Sequence, residues 1–258
     1  FVDVLPSRTR AWSSSQNQVM SSWSVLGKSG AAVARVELRR GATVKAEPDA
    51  LITMSQHVEL GANMDAGVVS GMMRSALGGE SLFSQTLTAT ADNQEVVLGA
   101  PDIGDVEIIR LTHDSPLLLQ KGAYLASDAS VQVGATTQQT AGGALFSGAG
   151  LFVLRASGQG SLAVSAHGSI LKYQLHAGEE RAVDNGHLVG WSESMPYEMR
   201  LASSGRNRGL FSSMFASTAS GEGLMCFFRG PGTLWLQTHK PGEEAGGGGD
   251  GGNAGGGG

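Results

Sequence analysis

Cys226 is the only cysteine among 258 residues, so no disulfide framework can staple this chain and no multi-cysteine zinc site can form. Such sparing use of cysteine fits a reducing compartment. Long hydrophobic runs are missing too: stretches such as Leu117 to Leu119 and Leu151 to Leu154 fall far short of the roughly 18 apolar residues that span a bilayer as a helix. Positive charge is in deficit. Lys and Arg total 18 against 23 Asp and Glu, giving a formal charge of -5 and an isoelectric point near 5.7, whereas nucleic-acid binders carry a basic patch or stripe. No nucleic acid is therefore expected as a partner. The length allows about three quarters of the unfolded surface to be buried, so a core can hold the fold without crosslinks.

Glycine is plentiful, and its placement separates the chain into parts. Residues 1–30 carry Arg8, Arg10 and Lys28 with Asp3 as the only acid, amid Ser13, Ser14, Ser15, Ser21 and Ser22. That composition suits either the remnant of an organellar transit peptide or an ordinary leader or first strand. Residues 241–258 end in GGGGDGGNAGGGG, with almost no side chains to bury, and read as a disordered tail. Residues 31–240 form the expected domain.

Within that domain, short apolar runs are broken by Gly, Asp, Asn and Ser every eight to twelve residues or so, the signature of an all-β sandwich or barrel. Ala34, Val36 and Leu38 alternate with Val33, Arg35 and Glu37, a period of two. Two sets of similar segments interleave: DALITMS, GAYLASD and GHLVGWS, and between them GGESLF, SGAGLF and SGEGLM. Both keep a common period of about seventy residues, which predicts three pseudo-repeats of about six short strands each, packed about a pseudo-threefold axis. CFFRGPGTLWLQT, from Cys226 to Thr238, then reads as a hairpin apolar on both faces and covered on both. Its Gly-Pro-Gly predicts a type II turn, proline presetting the second position and Gly232 supplying positive φ at the third. Gly158-Gln159-Gly160 is the matching turn in the second repeat.

From about Val33 to Thr238 the sequence resembles the altered inheritance of mitochondria protein twenty-four family. The pieces that carry the resemblance are GESLF, QKGAYLASD, LFSGAGLF, DNGHLV and the closing GEGL followed by GPG and LWLQT, in that order. The resemblance implies a double-stranded β-helix of the kind seen in the tryptophan RNA-binding attenuation protein (TRAP-like), repeated within the chain. It also implies an association of eukaryotic members with mitochondria and inner-membrane organisation, and it brings no catalytic residues. One stretch departs from the family pattern: GRNRGLFSSMFASTAS, from Gly205 to Ser220, is longer and more basic than the usual link before the last motif.

Candidate chemistry is thin. The six histidines form no HxH, HExxH or HxxxH pair, so the metal cluster of a cupin-type β-helix is absent. His167 and His176 fall where a hairpin would bring them together, a coincidence common in β proteins, and His187 reads as a partly buried structural residue. Ser165, His167 and Asp184 supply the residue types of a hydrolytic triad, but triads are defined by geometry. Cys226, in a strand expected to be buried, reads as an inert hydrophobe. The glycine pairs at 142–143 and 148–150 lack the Lys and Ser or Thr of a phosphate loop. No catalytic residue, cofactor or metal is expected.

The functional lead lies in apolar segments. Met64, Val68, Met72 and Met73 recur at near-helical spacing, as do Leu210, Phe211, Met214 and Phe215, the latter beside Arg206 and Arg208. A basic amphipathic turn of this sort lies on anionic membranes or docks on a partner, and methionine suits adaptable contacts. Either these loops fold back over the open ends of the β layers, or they are exposed and mark an interface. Met72, Met73, Leu210, Phe211, Met214 and Phe215 are the candidate interface. The expected protein is a non-enzymatic organellar scaffold, in the mitochondrion or alternatively the plastid, that engages a protein complex or membrane surface; the alternative is a small-molecule or metal binding module with its site between repeats.

Overall fold

The computed structural model describes residues 21–27, 31–63, 84–120, 122–136, 153–201 and 224–241. Among them the chain is all-β, with two short 3-10 turns, at Pro48–Ala50 and Asn185–His187, and no α-helix. The strands begin with β1 (Ser21–Leu26), inside the stretch whose composition suggested a leader. There follow β2 (Val33–Leu38), β3 (Thr43–Ala46), β4 (Leu51–Met54), β5 (Val58–Asn63), β6 (Ser84–Ala89) and β7 (Gln94–Gly99). Next come β8 (Gly104–Leu111), β9 (Leu117–Gln120), β10 (Tyr124–Asp128), β11 (Val131–Thr136), β12 (Val153–Gly158) and β13 (Gly160–His167). The last are β14 (Ile170–Leu175), β15 (Glu180–Asp184), β16 (Leu188–Ser192), β17 (Tyr197–Leu201), β18 (Leu224–Arg229) and β19 (Gly232–Gln237).

These strands make four antiparallel sheets, in the orders β1-β2-β7-β4, β5-β6-β3-β10-β13-β8, β11-β12-β9-β16-β19-β14 and β15-β18-β17. Raising every strand number in the first six-stranded order by six gives the second. Each six-stranded sheet has an internal joint where two triplets meet: β3 pairs with β10, Ala46 opposite Ala126, and β9 pairs with β16, Leu119 opposite Gly190. A bulge recurs at one place in three strands, between Leu51 and Thr53 in β4, Tyr124 and Ala126 in β10, and Leu188 and Gly190 in β16. Each bulge leaves one residue out of the ladder, Ile52, Leu125 and Val189 respectively.

Period-two burial operates where a strand has one face on the core. In β2, Ala34, Val36 and Leu38 are buried while Glu37 is exposed. Central strands lose the alternation because both faces are covered: every residue of β13 from Gly160 to Ala166 is buried. Three apolar clusters result. One gathers β2 to β7 with Val106, Leu125, Ala126 and Ala163. The second centres on Leu119, Leu162, Val164 and Val189, and the third on Trp191, Cys226, Phe228 and Leu234. In the third, Trp191 meets Tyr197 and Phe228 edge to face at centroid distances of 5.3 and 5.5 Å.

The segment around Gly230 differs from its expected hairpin. β18 pairs with β15 and β17, β19 with β14 and β16, so the turn is a corner between two sheets. Nor is the turn type II: the Gly230–Pro231 peptide is cis and Gly232 does not adopt positive φ. Gly230 is required for a close approach instead, because a Cβ there would sit 2.2 Å from the His176 carbonyl oxygen. Two-sided cover holds in β19, where Leu234 to Gln237 are all buried, but fails in β18, where Phe227 is 37% exposed. Gly158-Gln159-Gly160 makes the same kind of corner, from β12 in one sheet to β13 in another.

Candidate functional site

Two places on the described residues merit a functional reading. The first is a cleft of about 340 Å³ where the ends of β7, β13 and β19 meet the turns leading into β10 and β16. Its polar groups are matched to one another. Gln120 Nε2 donates to Asn185 Oδ1 at 2.9 Å. Buried Gln237 donates to the Gly186 carbonyl at 2.9 Å and accepts from the His167 backbone N–H at 3.1 Å. Lys240 Nζ stands 3.0 Å from Asp184 Oδ2, while Asp184 Oδ1 accepts from the Gly186 N–H at 3.0 Å. Burial alone would raise the Asp184 carboxyl, but the Gly186 hydrogen bond and the Lys240 ammonium outweigh it and hold the group below the usual range.

The triad residue types all line this cleft, yet they are not assembled. The Ser165 hydroxyl donates to the Gly122 carbonyl at 3.5 Å, and His167 Nδ1 lies 4.0 Å from Asp102 Oδ2. No hydrogen bond joins Ser165 to His167 or His167 to Asp184 among the described residues. His167 and His176 fall at opposite ends of β14, roughly 20 Å apart along a six-residue strand. His187 is half-buried, its Nδ1 2.8 Å from the Gln237 carbonyl oxygen, a structural contact as its sequence context suggested. Among the described residues no group of three His, Cys, Asp or Glu side chains is placed to hold a metal ion. Cys226 is fully buried, with its thiol pushed up to about 12, first by burial and then by the Asp184 charge.

The second place is the pair of sheet edges at β4 and β15. Each has one ladder partner among the described residues, β7 and β18 respectively. Ile52 is 58% exposed and Met54 39%, although the corresponding bulge residues Leu125 and Val189 are each 1% exposed. On β15, Glu180, Arg181 and Ala182 are exposed while Val183 is buried. Sequence reasoning passed over these edges. The signal was present in the aligned segments DALITMS, GAYLASD and GHLVGWS, where Ile52, Leu125 and Val189 share the fourth position. All six candidate interface residues, Met72, Met73, Leu210, Phe211, Met214 and Phe215, lie outside the described residues.

An all-β protein of four antiparallel sheets, with a self-satisfied polar cleft and an apolar edge strand, is the class these features define. Residues 23–239 match the family model described as Mitochondrial biogenesis AIM24, and the chain belongs to that family. It is 29% identical over 210 residues to an uncharacterised protein of Streptococcus pyogenes serotype M6, covering 79% of each chain. It is also similar to the crystal structure of protein SPYM3_0169 from Streptococcus pyogenes, with a TM-score of 0.64, 25% identity, and coverage of 85% of this chain and 94% of that one. The family description carries a mitochondrial relation, while both of these relatives are bacterial.

Proposed function

We propose that the chain is a non-enzymatic structural or scaffold protein, built from three six-strand units, that works by exposing sheet edges and apolar loops to a protein complex or membrane surface. In this reading the units are β2 to β7, β8 to β13 and β14 to β19, successive double-stranded β-helices of the TRAP-like kind. The pseudo-threefold axis expected from the sequence would bring β15 onto β4 within one chain, and those two strands do not pair among the described residues. The sheet orders displaced by six strands and the bulge recurring at Ile52, Leu125 and Val189 support the unit boundaries. The observation that carries the scaffold reading is the edge at β4, where a 58% exposed isoleucine stands at a position buried in both corresponding strands. Apolar edges of this kind are templates for another chain unless something covers them. The mitochondrion is the proposed location, with the plastid as alternative, supported by the family description and the basic, Ser-rich residues 1–30.

The test is affinity capture of the full chain from isolated mitochondrial membranes beside a Phe211→Ser, Phe215→Ser variant. A defined complex recovered with the native chain and lost with the variant is the expected result; native protein recovered free and soluble overturns the reading. A second reading, a small-molecule binding module, draws on the cleft, which the second proposed unit lines with Gln120 and His167, the third with Asn185 and Gln237, and the link between the first two with Ala100 to Asp102. Native mass spectrometry of the purified protein checks it, since a ligand held there adds a fixed mass that denaturation removes.

A further inference from the structure

The two joints inside this chain are made the same way. In each, the second strand of one six-strand unit pairs antiparallel with the third strand of the next: β3 with β10, then β9 with β16. Both joints begin at the residue following the bulge, with Ala126 opposite Ala46 and Gly190 opposite Leu119. Both are dry. Leu125, Ala126, Val189 and Trp191 on one side, and Val44, Ala46, Leu118 and Leu119 on the other, are each no more than 1% exposed.

Three units strung on one chain leave one half-joint of each kind over. Among the described residues β15 is a second strand with no third strand paired to it, and β4 is a third strand with no second strand paired to it. They are complementary halves of one joint, so a second copy of this chain presents what each edge lacks. We propose that β15 of one copy pairs antiparallel with β4 of the next, repeating the internal joints between molecules; this rests on the scaffold reading and names its first partner as the chain itself. The register follows from the internal joints. Thr53, the residue after the bulge, lies opposite Val183, which precedes the 3-10 turn as Ala46 does in the first unit, and Met54 lies opposite Ala182. Ile52 is covered in that arrangement as Leu125 and Val189 are. Such a joint is heterologous, each copy using a different surface on its two sides, and it continues into a ring if the rotation closes or a filament if it does not.

Cysteines placed at the predicted register test this directly, because paired strands bring Cα atoms to about 4.5–5.5 Å, within disulfide reach. Full-length Met54→Cys and Ala182→Cys proteins, both substituted at exposed positions, are mixed and mildly oxidised, the native Cys226 being buried. A covalent heterodimer that needs both variants is expected, together with a ladder of multimers from the doubly substituted chain. Adding Ile52→Lys should reduce the heterodimer about tenfold or more, as a charge on an open edge disfavours pairing. A single internally crosslinked monomer from the double variant overturns the proposal, because the edges then close within one molecule. Absence of any crosslink overturns it too, since the edges are then covered by another part of the chain or another protein. The scaffold reading fails separately: capture of a membrane complex without self-crosslinking leaves it standing, whereas self-joining copies that recover no other component confine it to self-assembly.

Discussion

Cys226 and Tyr197 pack in the third apolar cluster, and burial first, then the charge of Asp184 on Cys226 and of Cys226 on Tyr197, push each group up to about 12. Their unfolded values are 9.0 and 10.0, so above pH 9 the unfolded chain releases protons that the folded one retains. The stability is complete below pH 9 and is lost as pH rises toward about 12. Urea midpoints measured across that range should fall steadily, with a shallower fall in Cys226→Ala, and a thiol reagent at pH 8 should leave native Cys226 unmodified. Asp184 has the opposite sign. Its carboxyl is held below the ordinary 3.8, so its contribution is present above that value and lost as pH falls through the lower folded one. Asp184→Asn should lower the urea midpoint near neutrality and flatten the stability profile below about pH 4. The buried cysteine was legible in the sequence because alternation along β18 shows which face it takes. The partnership of Asp184 with Lys240 was not, because only the path of β19 brings them together and no spacing records it.

Corners between sheets govern the elements, and they are where sequence patterns mislead. Two apolar strands around a short glycine turn read as a hairpin, because local sequence records the turn but not which neighbours each strand takes. Bulges, corners and joints are set by partners far along the chain, as Ala46 and Ala126 are, whereas strands with one covered face, such as β2, were readable from their alternation of apolar and polar residues. β1 shows the same limit. Its Ser-rich sequence has no strong strand signal, yet Trp23 Nε1 and Ser21 Oγ donate to Asp128 at 2.9 and 2.5 Å, and the same carboxylate accepts from the Ser161 N–H at 2.6 Å. Asp128→Ala should therefore loosen β1 first, seen as faster amide exchange at Ser22 to Leu26, at a cost of about 1–3 kcal/mol. Gly104 is a sharper case. A Cβ there would sit 1.7 Å from the Ala166 carbonyl oxygen, so Gly104→Ala must push β8 off β13 and should lower stability in urea by about 3 kcal/mol or more.

Across the whole molecule, the apolar clusters follow one another along the chain and share residues over the joints: Leu125 and Ala163 join the first, Leu118 and Val153 the third. Damage at one end should accordingly stay there. Phe228→Ala, at a cost of about 3–5 kcal/mol, should speed amide exchange in β14 to β19 well before β2 to β7, and uniform acceleration would show that the clusters unfold as one. The interleaved sheet order also fixes a timetable for synthesis. The sheet that starts at β5 gains its final strand when residue 167 has left the ribosome, and the sheet that starts at β11 gains its own at residue 237. A nascent chain halted between those points carries one finished six-stranded sheet beside the opening strands of the next, so the protein is born in instalments, each waiting on strands that its successor supplies.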